Sequence, residues 1–211
     1  PDAKATIQRM REFYYGYTAE VLDIVLTGRD MGNAGRVPMA GVPAHALESY
    51  LARLIRRGYK VAICEQVSEP TTGPGLVDRA VVRVVTPGTV VEPSLLTEKA
   101  NNYLVAVAFE GEEAGIACVD ITTSEFATSQ FPMAHLPVEL GRLTPSEVLT
   151  PRGHDDTLPV DQGTTVTALE PDAFHLEWAT ETLLDHFGVS SLESYGCDGL
   201  PLAVRAAGAI V

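Results

Sequence analysis

The chain has 211 residues, of which 45% are hydrophobic and 20% charged, and a formal net charge of −13. That length and apolar content suit one or two packed domains, and no apolar run approaches the roughly 18 residues a membrane-spanning helix needs. The start, PDAKATIQRM, is polar and mixed in charge, unlike a secretory signal peptide. Cys64, Cys118 and Cys197 are odd in number, widely spaced and form no CxxC pair, so neither a disulfide framework nor a zinc pattern is read. Cys64 and Cys118 lie in apolar, strand-like runs and are predicted to be buried, reduced thiols, which fits a reducing cytosol.

The charge is unevenly divided. Residues 1–99 carry 12 Lys and Arg against 11 Asp and Glu, a net of +1; residues 100–211 carry 3 against 17, a net of −14. Contacts to a phosphate backbone need Lys and Arg, so the second half is a poor phosphate binder and the first, with clustered arginines, a better one. The asymmetry also suggests two domains with different jobs.

In chain order, residues 3–22 read as largely helical with an interruption near Gly16, and LDIVL (Leu22–Leu26) as a short apolar strand. Thr27 to Val37 reads as a Gly-rich loop. A helix is predicted from about Ala44 to Arg57, because Leu47, Leu51, Leu54 and Ile55 recur on one face, with Gly58 as its stop. Tyr59–Cys64 is the next strand, Ser68–Gly75 a turn or loop, and Val81–Val85 a β-branched strand ended by Thr86-Pro87-Gly88-Thr89. The alternation of helix and strand suggests an α/β layer.

A linker is placed around Val91–Asn101, which gives one domain over 1–95 and a second over 100–211. Tyr103–Phe109, Ala114–Thr122 and Glu125–Phe131 read as three strands of an antiparallel meander turning at Gly111–Glu113 and Thr123-Ser124. A short helix at Leu136–Leu143 precedes a strand at Glu147–Thr150. Residues 151–166 are polar and poorly periodic. Pro171 opens a helix that ends at Phe187 with Gly188 as its cap, and a last helix begins at Pro201. A three-stranded meander followed by strand–helix pairs suggests a ribonuclease H-like arrangement.

Several long motifs, in order, resemble one family. LDIVLTGRD, PMAGVPAHALESYLARLIRRGYKVAICEQ and VVRVVTPGT are similar to the N-terminal mismatch-binding domain of MutS DNA mismatch-repair proteins. NNYLVAVA, AGIACVDITTSEF and PLAVRAAGA are similar to the connector domain that follows it. The resemblance covers nearly the whole chain from Leu22 onward. It implies a mixed-sheet α/β domain followed by a ribonuclease H-like connector, and a role in binding mispaired or looped duplex DNA within a larger homodimer. No GxxxxGK(S/T) phosphate loop occurs in the 211 residues. The resemblance therefore assigns ATP and Mg to other parts of a full-length parent and reads this part as no enzyme, with no cofactor or metal of its own. It also implies a MutL-type partner, possible docking on the acidic connector, a cytoplasmic, nucleoid-associated location and no membrane contact.

The family reads mismatches with a Phe-x-Glu segment; here the nearest match is Glu12-Phe13-Tyr14-Tyr15, with Tyr15 where the Glu belongs and a short spacing from Phe13 to Asp23. Either the reading head is lost or a stretch is missing before Asp23. Phe13 and Tyr14 are candidates for a wedge that unstacks a base step, against the plainer reading of helix packing; a mismatched step unstacks more cheaply, so deformability becomes the signal. Arg29 and Arg36 flank the Gly-rich loop, and Arg79 and Arg83 the later strand. Each is either ordinary solvated charge or a phosphate contact that positions DNA without reading sequence, and the resemblance puts Arg29 and Arg79 at the backbone. It also puts Met39 near the minor groove, against the plainer reading of a loop methionine packed inward. Arg53, Arg56, Arg57 and Lys60 suit the C-terminal end of a helix dipole, with DNA contact as the alternative reading. Asp120 is the tempting first carboxylate of a two-metal nuclease, with Glu125 and Asp185 as imaginable partners, but no set of three or four carboxylates falls on matching elements. Loss of the reading head would leave a protein-interaction module. The five histidines form no catalytic constellation.

Overall fold

The computed structural model describes residues 20–25, 27–30, 32, 35–39, 41–67, 78–96 and 100–211. Phe13, Tyr14, Tyr15, nearly all of the first predicted helix and the loop at Ser68–Gly75 lie outside the described residues. The chain divides into two compact units, Pro1–Val84 and Val85–Val211.

In the first unit, helix covers only residues 20–22 of the described start, and Asp23 follows with φ 54. The strand expected over Leu22–Leu26 is not formed at residues 22–25: Leu22 is helical and buried, and the left-handed residue after it breaks the run. The Gly-rich loop expected over Thr27–Val37 is instead a hairpin. Strand β1 (Thr27–Asp30) pairs antiparallel with β2 (Arg36–Met39). Its turn is drawn in by the Asp30 carboxylate, which accepts the Gly32 N–H at 3.0 Å, and by Gly35 N–H donating to Gly32 O at 2.9 Å, a local Asx pattern that needs no apolar signal.

Residues 44–46 form one 3-10 turn and lead into helix α1 (Leu47–Ile55). Leu51 and Ile55 are buried, but Leu47, expected on the same face, is 41% exposed, one turn too early to reach the core. Gly58 ends the helix at φ 79, and the Tyr59 N–H reaches back to Leu54 O at 3.1 Å, a left-handed closure that favours glycine. Strand β3 (Val61–Gln66) pairs with β4 (Arg79–Val85) in a two-stranded sheet. Cys64, expected in the core, is exposed, because alternation on a two-stranded ribbon leaves one face to solvent.

The second unit is a five-stranded sheet. Strands β5 (Leu104–Glu110), β6 (Glu113–Asp120) and β7 (Glu125–Pro132) form the antiparallel meander. Helix α2 (Leu136–Leu143) then crosses to β8 (Glu147–Pro151), parallel to β5, and β9 (Thr165–Leu169) lies parallel to β8. The strand order is β7-β6-β5-β8-β9, the ribonuclease H-like arrangement. Strand β9 falls partly in the stretch read as aperiodic; its burial is intermediate except at Thr167, so it lacks the apolar alternation that marks the inner strands. Helices α3 (Leu176–Phe187), preceded by a 3-10 turn over Pro171–Phe174, and α4 (Pro201–Gly208) complete the unit. Gly188 closes α3 at φ 63. No helix among the described residues is long and apolar enough to cross a membrane.

Alternation along β5 and β6 sorts the core into two layers. Val105, Val107, Ile116, Cys118 and Val148 face α2 through Leu136, Leu140 and Leu143. Leu104, Ala106, Ala108, Ala117 and Leu149 face α3 and α4. The small side chains on that second face let α4 approach to backbone distance: a Cβ on Gly115 would stand 2.1 Å from the Leu202 carbonyl carbon. Strand β7 secures the helix start, since the Leu202 N–H donates to Gln130 Oε1 at 2.9 Å, filling one of the orphan donors of a helix N-terminus. Each fully buried Val or Leu here stabilises the unit by about 1.5–3 kcal/mol.

Candidate nucleic-acid interface

The β1–β2 hairpin gathers three of the expected contact residues. In its register Arg29 stands opposite Val37, Arg36 opposite Asp30 and Met39 opposite Thr27. The Thr27 hydroxyl donates to Met39 O at 3.0 Å and ties the open end. The Arg36 side chain is exposed and lies across Gly28, where a Cβ would come within 2.5 Å of its Nε. Glycine at 28 therefore leaves room for the guanidinium stem on the face of the ribbon. Met39 is 41% exposed, so its thioether side chain is available to a partner. The Arg29 side chain lies outside the described residues.

Strand β4 carries the second pair. Alternation puts Arg79, Val81, Arg83 and Val85 on one face. Arg79 is exposed and Arg83 half-buried. Val81, Val82 and Val84 are more than half exposed, whereas Val85 is fully buried. An arginine at the exposed start of a ribbon keeps its charge in water and can meet a phosphate without a large desolvation cost. Of the basic run after α1, Arg53 is already engaged: it donates to Leu22 O at 2.6 Å and sits 5.4 Å over the Tyr50 ring. Its carbonyl partner belongs to the preceding segment and not to the end of α1. Arg56, Arg57 and Lys60 are exposed.

The second unit is built differently. All three arginines of residues 100–211 are in ion pairs: Arg142 with Glu139 at 2.9 Å, Arg152 with Glu170 at 2.7 Å and Arg205 with Glu110 at 2.9 Å. Asp120 is 1% exposed. One carboxylate oxygen accepts the Asn102 N–H at 3.0 Å; the other accepts the Thr122 N–H at 2.9 Å and the Thr122 hydroxyl at 2.6 Å. Burial pushes its pKa up, but the bonds from Thr122, Asn102 and Thr123 outweigh burial and hold it below the ordinary value. This is a turn-building aspartate whose lone pairs are already taken. Glu125 faces it across the β6–β7 turn and accepts from the Tyr103 hydroxyl at 2.9 Å, while Asp185 is exposed near the end of α3. Among the described residues no group of three or more His, Cys, Asp and Glu side chains gathers as a metal site would. Burial pushes the Cys118 and Cys197 thiols up.

A cavity of about 430 Å³ lies beside α3 and is lined by Leu176, Leu184, Leu192 and Val204, with Glu193 and Asp198 among its polar residues. Trp178 on α3 and Tyr195 are 59% and 51% exposed. Motif reading misses one group: Glu147, 1% exposed, whose carboxyl accepts the Gly88 N–H at 3.1 Å and the Thr167 hydroxyl at 2.6 Å. An acidic residue opening a mostly apolar strand is its only sequence signal.

Comparison with known proteins bears on both units. The sequence model of MutS domain I matches residues 7–94, and that of MutS domain II matches residues 102–211. The DNA mismatch repair protein MutS of Dehalococcoides mccartyi is 47% identical over 209 residues, 96% of this chain and 24% of that protein. The protein of the same name from Methanococcoides burtonii is 40% identical over 217 residues, 95% of this chain and 24% of that protein. That of Thermosynechococcus vestitus is 41% identical over 227 aligned positions, 97% of this chain and 26% of that protein. The last alignment is longer than the chain itself, so that relative has residues with no counterpart here. The chain spans about a quarter of the length of the curated relatives it matches. With both halves matched, this chain belongs to the MutS family and comprises its domains I and II.

Proposed function

We propose that this chain is the part of a MutS-type repair protein that binds mispaired or looped-out duplex DNA. Residues 1–95 form the recognition domain and residues 100–211 the connector. The observation that carries the reading is the β1–β2 hairpin, a short ribbon bearing Arg29, Arg36 and Met39, with Arg36 and Met39 exposed. In this reading Arg29, Arg36, Arg79 and Arg83 contact phosphates and set the register of the duplex. Phe13 and Tyr14 supply the wedge, with Met39 at the minor groove. A kink at a weakly stacked step gives recognition with few base-specific bonds. The full-length parent acts as a homodimer in the cytoplasm, uses ATP and Mg outside these 211 residues, and recruits a MutL-type protein.

The test is duplex binding by the full-length parent over a range of salt. Arg79→Ala should weaken mismatched and perfect duplexes alike and reduce the salt slope by about 1. Loss confined to mismatched DNA would contradict the phosphate role. Phe13→Ala should remove the preference for mismatched DNA; undiminished discrimination would exclude Phe13 as the wedge.

A second reading is favoured by the connector's own surface. With its arginines paired internally and a net charge of −14 over 100–211, that face suits a partner carrying basic groups around an apolar side chain. The cavity beside α3, with Glu193 and Asp198, is where such a side chain would seat. Titration with a MutL-type protein should show binding that weakens with salt, and absence of any binding would remove this reading.

A further inference from the structure

Strand β4 runs without a loop into the Thr86-Pro87-Gly88-Thr89 turn. Val84 is 53% exposed and Val85 fully buried. The turn is closed on itself: the Thr86 N–H donates to Thr89 Oγ1 at 2.9 Å, the two hydroxyls lie 3.0 Å apart, and the Thr89 N–H donates to Thr86 O at 3.1 Å. It is also held from outside, at a single peptide unit. The Pro87 carbonyl accepts from Asn102 Nδ2 at 3.0 Å, and the Gly88 N–H of that same peptide donates to Glu147 Oε2 at 3.1 Å.

Both holding side chains are themselves fixed. Asn102 Oδ1 accepts the Ser146 hydroxyl at 2.6 Å, and its N–H donates to Asp120 at 3.0 Å. Glu147 opens β8 between Leu104 of β5 and Thr165 of β9, and its second oxygen takes the Thr167 hydroxyl at 2.6 Å. The turn sits so close that a Cβ on Gly88 would come within 2.9 Å of Leu104 Cβ and 3.0 Å of Glu147 Cβ. A buried carboxyl is costly unless its oxygens are satisfied; here the donors that satisfy it are the turn and a neighbouring strand.

The geometry points to Glu147 as a positioning residue: its carboxyl locks the Pro87–Gly88 peptide of the turn that follows β4. The consequence for DNA rests on the proposed function; the lock itself does not. Glu147 touches no nucleic acid and acts through the chain that leaves the turn.

The test uses amide hydrogen exchange on the 211-residue chain and duplex binding on the full-length parent. Glu147→Ala should raise exchange at Gly88 and Val85 on the order of tenfold, because a buried donor loses its acceptor and the turn opens locally. Amides of α3 and α4 should keep their protection. Glu147→Gln should restore most of it, since its amide oxygen can accept from Gly88 and its NH₂ can donate to the Thr167 hydroxyl. If Glu147→Ala does not fold, Asn102→Ala releases the other side of the same peptide and should show the same local rise. Unchanged exchange at Gly88, or a rise spread equally over α3 and α4, overturns the proposal. In the parent, Glu147→Ala should weaken duplex binding with an unaltered salt slope, since no phosphate contact is removed. Wild-type affinity despite local opening would also overturn it. An unaltered slope in Arg79→Ala would instead fault the DNA reading and leave the exchange result standing.

Discussion

The two units spend their charge in opposite ways. In the first, Arg36 and Arg79 stand exposed on two-stranded ribbons, and the valines beside Arg79 are more than half exposed. In the second, five strands bury residues on both faces, and the few arginines are drawn into ion pairs or onto carbonyls. A ribbon with one open face cannot build much core, but it offers cations at little desolvation cost; a filled sheet does the reverse. The contrast places the filled core in the second unit and, among the described residues, the exposed ribbon arginines in the first.

The sharpest way to break that contrast is to disturb packing. Gly115→Ala puts a methyl into the backbone of α4 at Leu202 and should cost about 3 kcal/mol, the upper end for overpacking a tight core. At Gly41, in the first unit, an added Cβ would meet nothing within 4 Å among the described residues, and Gly41→Ala should stay within about 0.5 kcal/mol. Urea midpoints followed by probes in each unit separate the two. Equal effects would mean that the first unit is as tightly packed as the second.

Next in size is Asp120→Asn. The amide keeps one acceptor where the carboxylate serves Asn102 and Thr122 from both oxygens, so the loss should be about 1–3 kcal/mol at neutral pH. Because the folded pKa lies below the ordinary value of 3.8, this contribution is complete above the unfolded value and lost as pH falls through the folded one. The difference in Tm between wild type and variant should therefore shrink on acidification. A difference that is flat with pH would show that charge has no part in it.

Legibility in the sequence follows the same division. Strands β5 to β7 are readable because Leu104–Glu110 and the segments after it alternate against two apolar layers and turn at Gly111 and Ser124. Helix α3 is readable from its stop at Gly188, but its expected opening at Pro171 is a 3-10 turn and the helix starts at Leu176. Strand β9 is not, since only Thr167 among its residues is fully buried and a partly covered strand keeps a polar composition. In the first unit, β1 and β2 have four residues each and contain Gly, Arg, Asp and Pro, so hydrogen bonding at the turn defines them and hydrophobic period does not. LDIVL misleads for the converse reason: its apolar run is real, but the positive φ at Asp23 is a property of the turn it enters. The arginines of the candidate interface are visible as residue types; the placement of Arg29 and Arg36 on one hairpin is not. Glu147 stays hidden because its partners lie at positions 88 and 167, far apart in the chain.

The smallest expected effects test charge directly. Arg205 is mostly buried and bonds Phe174 O at 2.7 Å and Glu110 at 2.9 Å. Arg205→Ala should cost about 1–2 kcal/mol of stability and leave duplex affinity of the parent unchanged, because that cation is already committed. Arg36→Ala should do the opposite. Its side chain lies exposed over Gly28, so stability should move by no more than about 0.5 kcal/mol, while the salt slope of duplex binding falls by about 1. Measured side by side in the parent, the pair distinguishes a cation held for folding from one held for a partner. If Arg36→Ala lowers stability as much as Arg205→Ala and leaves the slope intact, the β1–β2 hairpin is structural, and the phosphate contacts of the first unit must be sought on β4.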